Sequence, residues 1–201
     1  FVDKFNILWV GTYNSGVFKI DFENKTFLSS HAFLKKEALY NEVFHKSPIK
    51  AMCEDKNGNI WLGSGGKGGI AKITVDQLEY SLSNSNQKKW DFNYLNTNEI
   101  FQKKSFFRIK KLLNDSKGNI WVGSNSGLSK IQPLFNTYKT EVFDALNNRS
   151  TPSSSPVFAI EEDHLGAIWA GYFGNGLVKL TYNSDNSDYD YFAYKNDPKN
   201  A

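Results

Sequence analysis

Thiol chemistry is nearly absent from this chain. Cys53 is its one cysteine among 201 residues, so no internal disulfide can form, and no Cys-x-x-Cys pair or His-rich cluster offers a metal site. That count leaves the redox compartment open. Histidine is scarce as well: His31, His45 and His164 share no motif with a serine or with Cys53, so no nucleophile and base can be paired. No window approaches the roughly 18 consecutive apolar residues of a membrane span, which argues against membrane contact by this segment. The opening Phe1-Val2-Asp3-Lys4 lacks the start of a signal peptide. An excess of one charge sign is also missing. The 24 basic and 21 acidic side chains leave a net +3, too little to argue for nucleic acid. What the chain does have is 40% apolar and 15% aromatic content, enough to bury a sizeable core.

The aromatic residues are not scattered. One phrase occurs four times: Leu8-Trp9-Val10-Gly11-Thr12, Ile60-Trp61-Leu62-Gly63-Ser64, Ile120-Trp121-Val122-Gly123-Ser124 and Ile168-Trp169-Ala170-Gly171-Tyr172. Before it stands an Asp-x-x-Gly turn: Asp55 with Gly58, Asp115 with Gly118, and Asp163 with Gly166. Aspartate bonds forward to its own backbone and glycine accepts a positive φ, so each is a hairpin signal. In the first copy, Asp3-Lys4-Phe5-Asn6, asparagine replaces the glycine. After each tryptophan come a small-residue turn and a second β-rich run, Gly16-Val17-Phe18-Lys19-Ile20, Gly69-Ile70-Ala71-Lys72-Ile73, Gly127-Leu128-Ser129-Lys130-Ile131 and Gly176-Leu177-Val178-Lys179-Leu180. Their alternation is that of strands with one face buried and one wet. A more variable strand is expected near 26–28, 90–94, 141–143 and 189–192.

Four short antiparallel strands per unit of about 40–50 residues make the blade of a β-propeller. The sequence thus predicts an all-β fold, a single propeller segment over 1–201 with blades near 1–40, 41–100, 101–148 and 149–196. An insertion from Gln77 to Lys104, carrying Trp90, reads as an elongated outer hairpin. Phe1 enters just before the first turn, and 196–200 resembles an inter-blade loop, so the chain reads as part of a longer array. Its unpaired strand edges would invite further blades of a parent chain or homodimerisation.

Asp-x-x-Gly-x-Ile-Trp-x-Gly-Ser/Thr followed by Gly-Leu/Ile-x-Lys-Ile resembles the two-component regulator propeller repeat over nearly the whole chain. Asn6 and Tyr172 are the departures. The resemblance implies an extracytoplasmic, periplasmic sensor region of a two-component histidine kinase, often a hybrid kinase, that controls use of complex carbohydrates. None of the kinase's own signatures is in this sequence.

Several motifs resolve into structure rather than chemistry. Gly63-Ser64-Gly65-Gly66-Lys67-Gly68 matches Gly-x-Gly-x-x-Gly, but no helix follows and the other copies place loops there, so it reads as a hairpin. Asp55-Lys56-Asn57-Gly58-Asn59 opens like a calcium loop, yet Ile60 and Gly66 stand where glycine and glutamate are required. The basic run Lys103 to Lys111 aligns with an inner strand, with Lys111 in place of Ala51 and Ala159. The sequence therefore assigns no catalytic residue, no metal and no cofactor.

Trp9, Trp61, Trp121 and Trp169, identical in every copy, are expected to be wedges between blades. Ligand contacts are sought where copies differ, on the face shared by second-to-third-strand loops and inter-blade loops. That face collects Tyr13, Asn14, Lys67, Asn125, Tyr172, Phe173 and Asn175, with His45, Lys46, Lys103, Lys104 and Arg149 beside them. Amides bond sugar hydroxyls, aromatic faces stack on sugar rings, and cations suit a carboxylate or sulfate. The expected function is non-catalytic sensing of a small-molecule ligand, an oligosaccharide. The rival readings are a propeller enzyme of lyase or quinone-dependent dehydrogenase type and a protein-binding scaffold.

Overall fold

The computed structural model describes residues 1–29, 47–66, 69–74, 93–95, 108–135, 137–143 and 155–194. Within them every regular element is a strand, and the strands form four antiparallel sheets in sequence order. Sheet 1 holds β1 (Leu8–Gly11), β2 (Val17–Asp21) and β3 (Thr26–Ser29). Sheet 2 holds β4 (Ile49–Glu54), β5 (Ile60–Ser64), β6 (Ile70–Ile73) and β7 (Asn93–Leu95). Sheet 3 is β8 (Ile109–Asn114), β9 (Ile120–Ser124), β10 (Gly127–Pro133) and β11 (Tyr138–Phe143). Sheet 4 is β12 (Val157–Glu162), β13 (Ile168–Tyr172), β14 (Gly176–Asn183) and β15 (Asp188–Tyr194). Each sheet is a meander, and the first strands β4, β8 and β12 lie against one another, as the inner strands of a propeller must. Before β1, only an isolated bridge between Val2 and Leu8 marks the place of an inner strand. Of the expected insertion, only β7 falls among the described residues.

Sheets stack face to face, and three apolar clusters fill the seams. The first joins Trp9 and Val17 to Ile49, Ile60 and Leu62; the second joins Trp61 and Ile70 to Ile109, Ile120 and Val122; the third joins Trp121, Leu128 and Phe143 to Val157, Ile168 and Val178. Both faces of the inner sheets are therefore covered, where alternation alone suggested one wet face. Close approach explains the glycine of each Trp-x-Gly phrase. A Cβ on Gly11 would lie 2.9 Å from Ile49 Cβ, one on Gly63 2.5 Å from Ile109 Cγ2, and one on Gly123 2.9 Å from the Val157 carbonyl oxygen. Each glycine is the hollow into which the next sheet's first inner-strand residue fits.

The Asp-x-x-Gly turns do more than reverse the chain. Gly58, Gly118 and Gly166 take φ of 84°, 86° and 80°, and Asn6 takes 61° in the same place. In each turn one carboxylate oxygen accepts backbone N–H groups and the other accepts the indole Nε1–H of the tryptophan six residues on. These indole bonds are 2.7 Å for Trp9 to Asp3, 2.9 Å for Trp61 to Asp55, 2.8 Å for Trp121 to Asp115 and 2.8 Å for Trp169 to Asp163. The repeated lysine completes the column: Lys19, Lys72, Lys130 and Lys179 place Nζ 5.9, 5.6, 5.7 and 5.1 Å from the ring centroid of their sheet's tryptophan. Indole and carboxylate thus satisfy each other at the seam and the lysine stem shields the ring, with Lys130 Nζ paired to Glu141 at 2.7 Å and Lys179 Nζ 3.8 Å from Asp163. Lys19 is buried, and that burial pulls its pKa below the ordinary lysine value while Asp3 and Asp21 oppose the shift. Trp9, Trp61 and Trp121 are fully buried, whereas Trp169 is half-exposed on the outer face of sheet 4.

Candidate functional site

Three inner strands carry the same irregularity. The ladder shifts between Ile49 and Ala51, between Ile109 and Lys111, and between Val157 and Ala159, leaving Lys50, Lys110 and Phe158 as the extra residues. A bulge re-aims the side chain it releases. Here all three are released beside the loops that follow the tryptophan strands. Lys50 Nζ lies 5.5 Å from the ring centre of Tyr13, and Lys110 Nζ lies 5.3 Å from that of Phe158. The Phe158 ring in turn sits 5.9 Å from Phe173 at an interplanar angle of 52°. Tyr13, Phe158 and Phe173 are 68%, 52% and 70% exposed, an unusual position for rings unless something covers them. The face therefore presents aromatic rings on sheets 1 and 4, with the ammonium groups of sheets 2 and 3 between them. Sequence comparison placed Tyr13 and Phe173 here; Lys50, Lys110 and Phe158 went unmarked, because a bulge has no residue-type signature when the released residue is lysine or phenylalanine.

The other residues expected on this face divide. Asn14 is exposed in the loop after β1. Asn125 uses Oδ1 to accept the Arg108 N–H at 2.6 Å, and its own N–H donates to the Arg108 carbonyl at 3.1 Å, so it ties the β9–β10 turn to the start of β8. Asn175 does the same for sheet 4, donating from Nδ2 to Ser155 Oγ. Both amides hold the loop rim in place. Tyr172 is a correction. It lies buried in the third cluster with Val157, Phe143 and Tyr189, and its hydroxyl has no hydrogen-bond partner, so it faces the seam rather than the open loops. The equivalent hydroxyls bond across the turn that follows: Thr12 Oγ1 donates to the Gly16 carbonyl at 2.8 Å, and Ser124 Oγ to the Gly127 carbonyl at 3.2 Å. Tyrosine exchanges that bond for packing, and burial pushes its pKa upward. Lys67, His45, Lys46, Lys103, Lys104, Arg149 and Trp90 lie outside the described residues.

Two further places bring charged side chains together. Lys111, the anomaly of its register, reaches across neighbouring inner strands to Glu161 at 3.0 Å. On the opposite face a cleft of about 680 Å3 opens between sheets 3 and 4 and is lined by Lys117, Gln132, Lys139, Thr140, Tyr182 and Asn186. Its aromatic wall is already occupied, with Lys117 Nζ 4.1 Å from the centre of the Tyr182 ring. The glycine-rich segment forms a hairpin through its described part, the Ser64 N–H donating to the Gly69 carbonyl at 3.0 Å. The calcium-like turn has its Asp55 oxygens committed to Asn57, Asn59 and Trp61.

Residues 44–66 match the family model of the two-component regulator propeller. Over 135 residues the chain is 27% identical to histidine kinase P4 of Formosa agariphila, covering 67% of this chain and 9% of that protein. In structure it is similar to the extracellular domain of a hybrid two component system from B. thetaiotaomicron, with a TM-score of 0.66, 23% identity, and coverage of 97% of this chain and 22% of that one. It is similar in fold to virginiamycin B lyase of Staphylococcus aureus as well, with a TM-score of 0.63, 14% identity, and coverage of 96% and 54%. The chain thus spans only a small part of the kinase and of the extracellular domain it matches. Sheets and turns make this an all-β propeller segment, similar over residues 44–66 to the two-component regulator propeller.

Proposed function

We propose that this segment is a non-catalytic, extracytoplasmic sensor part of a two-component regulator, and that it binds an oligosaccharide on its loop face. The observation that carries this reading is the threefold bulge, which delivers Lys50, Lys110 and Phe158 to the same rim as Tyr13 and Phe173. Exposed rings can stack on the C–H faces of sugars, while the two ammonium groups meet carboxylate or sulfate substituents. Asn14 offers a free-standing amide to hydroxyls, with Asn125, Asn175 and Phe173 defining the edge. The extracytoplasmic location rests on likeness to extracellular domains of two component systems, and the parent's output on likeness to a histidine kinase. Further blades of the parent chain complete the ring, and signalling proceeds by differential affinity, the ligand favouring one arrangement of blades or subunits.

The test is a thermal-shift screen of the parent polypeptide against neutral and acidic oligosaccharides. A ligand at 100 times its Kd stabilises by about 2.7 kcal/mol, which is readily measured. Lys50→Ala with Lys110→Ala should weaken binding of an acidic glycan about tenfold and that of a neutral glycan much less. Absence of a shift with every glycan would refute the sugar reading.

A further inference from the structure

The seam between sheets 3 and 4 changes character along its length. Toward sheet 4, the β10–β11 pairs run Leu128–Phe143, Lys130–Glu141 and Gln132–Lys139, stepping from buried apolar to exposed polar as the strands approach the turns. The third apolar cluster takes the first of these pairs and neither of the others. Tyr189 closes the floor from sheet 4: its ring meets Trp121 edge-on, and Lys130 Nζ lies 4.5 Å from its centre. Beyond that floor the sheets part and leave the cleft of about 680 Å3, a size typical of small-molecule sites. Five charged side chains line it: Lys117, Lys130, Lys139, Glu141 and Asp188. Lys130 and Glu141 neutralise each other, and Asp188 Oδ1 accepts the Tyr189 N–H at 2.8 Å. Lys117 and Lys139, both exposed, have no carboxylate partner among the described residues. Lys117 is nonetheless held in place. Its Nζ rests on the Tyr182 ring, which is itself propped edge-on against Tyr189 at 5.3 Å and 70°. A ring face positions an ammonium without cancelling its charge. The same walls offer two amides: Gln132, and Asn186, whose Oδ1 accepts the Asp188 N–H at 3.0 Å and leaves Nδ2 to donate.

We propose that this cleft is a second ligand site, and that it binds a small organic phosphate monoester. The Lys117 and Lys139 ammonium groups hold the phosphate, and the Gln132 and Asn186 amides donate to its remaining oxygens. A phosphate monoester carries close to two negative charges and three terminal acceptor oxygens, which suits two uncompensated cations and two amide donors better than a carboxylate does. The cleft is far larger than a phosphate, so the organic part lies within it, against the Tyr182 edge and Thr140. This site sits at the turn ends of the strands, opposite the loop face, and does not rest on the sugar reading.

The test is isothermal titration of the full parent polypeptide with phenyl phosphate, inorganic phosphate and phenyl sulfate at low ionic strength. Phenyl phosphate should bind most tightly of the three, and its affinity should fall as sodium chloride is added. Lys117→Gln and Lys139→Gln should each weaken it about tenfold. Lys139→Gln removes no contact within the described protein, so its folding is not at stake. Lys25→Gln, the same change of charge at the exposed turn of sheet 1, should leave the affinity within about twofold. Absence of saturable binding by phenyl phosphate would overturn the proposal. So would equal affinity for phenyl sulfate, or an equal loss in Lys25→Gln, which would show an unspecific response to net charge. Glycan-induced thermal shifts are read separately at the loop face, so failure of the sugar reading and failure of this one give different results.

Discussion

Asp115→Asn removes one charge and one acceptor while leaving every carbon in place. In the wild type, Oδ1 accepts the backbone N–H groups of Lys117 at 3.0 Å and Asn119 at 2.7 Å, and Oδ2 accepts Asn119 Nδ2 and Trp121 Nε1 at 2.8 Å each. An asparagine can serve only one of those pairs. Whichever way the amide turns, two donors face an NH2 group in a site where Asp115 is 3% exposed and Trp121 fully buried. Each stranded buried donor costs about 1–3 kcal/mol, so the expected loss is about 2–6 kcal/mol. That is a large share of the roughly 5–15 kcal/mol by which a domain is stable. Equilibrium urea unfolding, followed by tryptophan fluorescence, should show a lower midpoint with an unchanged slope. Asp163→Asn, whose Trp169 is half-exposed, should cost visibly less because water can serve the freed indole. An Asp115→Asn loss below about 0.5 kcal/mol would refute the claim that the carboxylate-to-indole bond holds the blade.

Tyr172→Phe should be neutral or stabilising by up to about 1 kcal/mol in the same unfolding assay, since the hydroxyl it removes is buried without a partner; a loss of more than 1 kcal/mol would show that the hydroxyl is bonded. Stability should fall in acid. Asp21 is held below the usual carboxylate range first by the Asn24 backbone N–H, and Asp163 first by the Trp169 indole. With folded values below unfolded ones, their contribution is complete above the unfolded carboxylate pKa of about 3.9 and is lost as pH falls through the folded values. A series of Tm measurements from pH 7 to pH 2.5 should show this, with Asp21→Asn flattening the slope; an unaltered slope would count against it.

The legible part of this fold was its repetition. The four Trp-x-Gly phrases set the register, and Asn6, standing in for a turn glycine, takes the positive φ its position demands. The spacing of six between aspartate and tryptophan was equally visible, yet as residues of a turn and of a core they gave no sign of bonding to each other. Propensity describes neighbours along the chain, and this bond closes over a hairpin. Lys50, Lys110 and Phe158 were illegible for a different reason: the ladder shift that releases them depends on how the inner strand meets the loop beside it, as in the Ile49 N–H to Thr12 carbonyl bond of 2.9 Å. Tyr172 looked like a loop residue because it ends a strand, but it points into the seam.

The turn-side ties are not equal from seam to seam. Sheets 1 and 2 are joined by Glu54, and sheets 3 and 4 by Glu162. Between sheets 2 and 3, Asn114 stands in the corresponding place, and its Oδ1 is buried without a partner. The seam keeps its apolar filling and the bond from Lys56 Nζ to the Ser116 carbonyl at the rim. Nominally identical wedges are therefore joined by unlike polar contacts. The seam beside Asn114 is thus held at its turn side by apolar packing and a lysine-to-carbonyl bond, without the carboxylate-to-backbone tie that its two neighbours share.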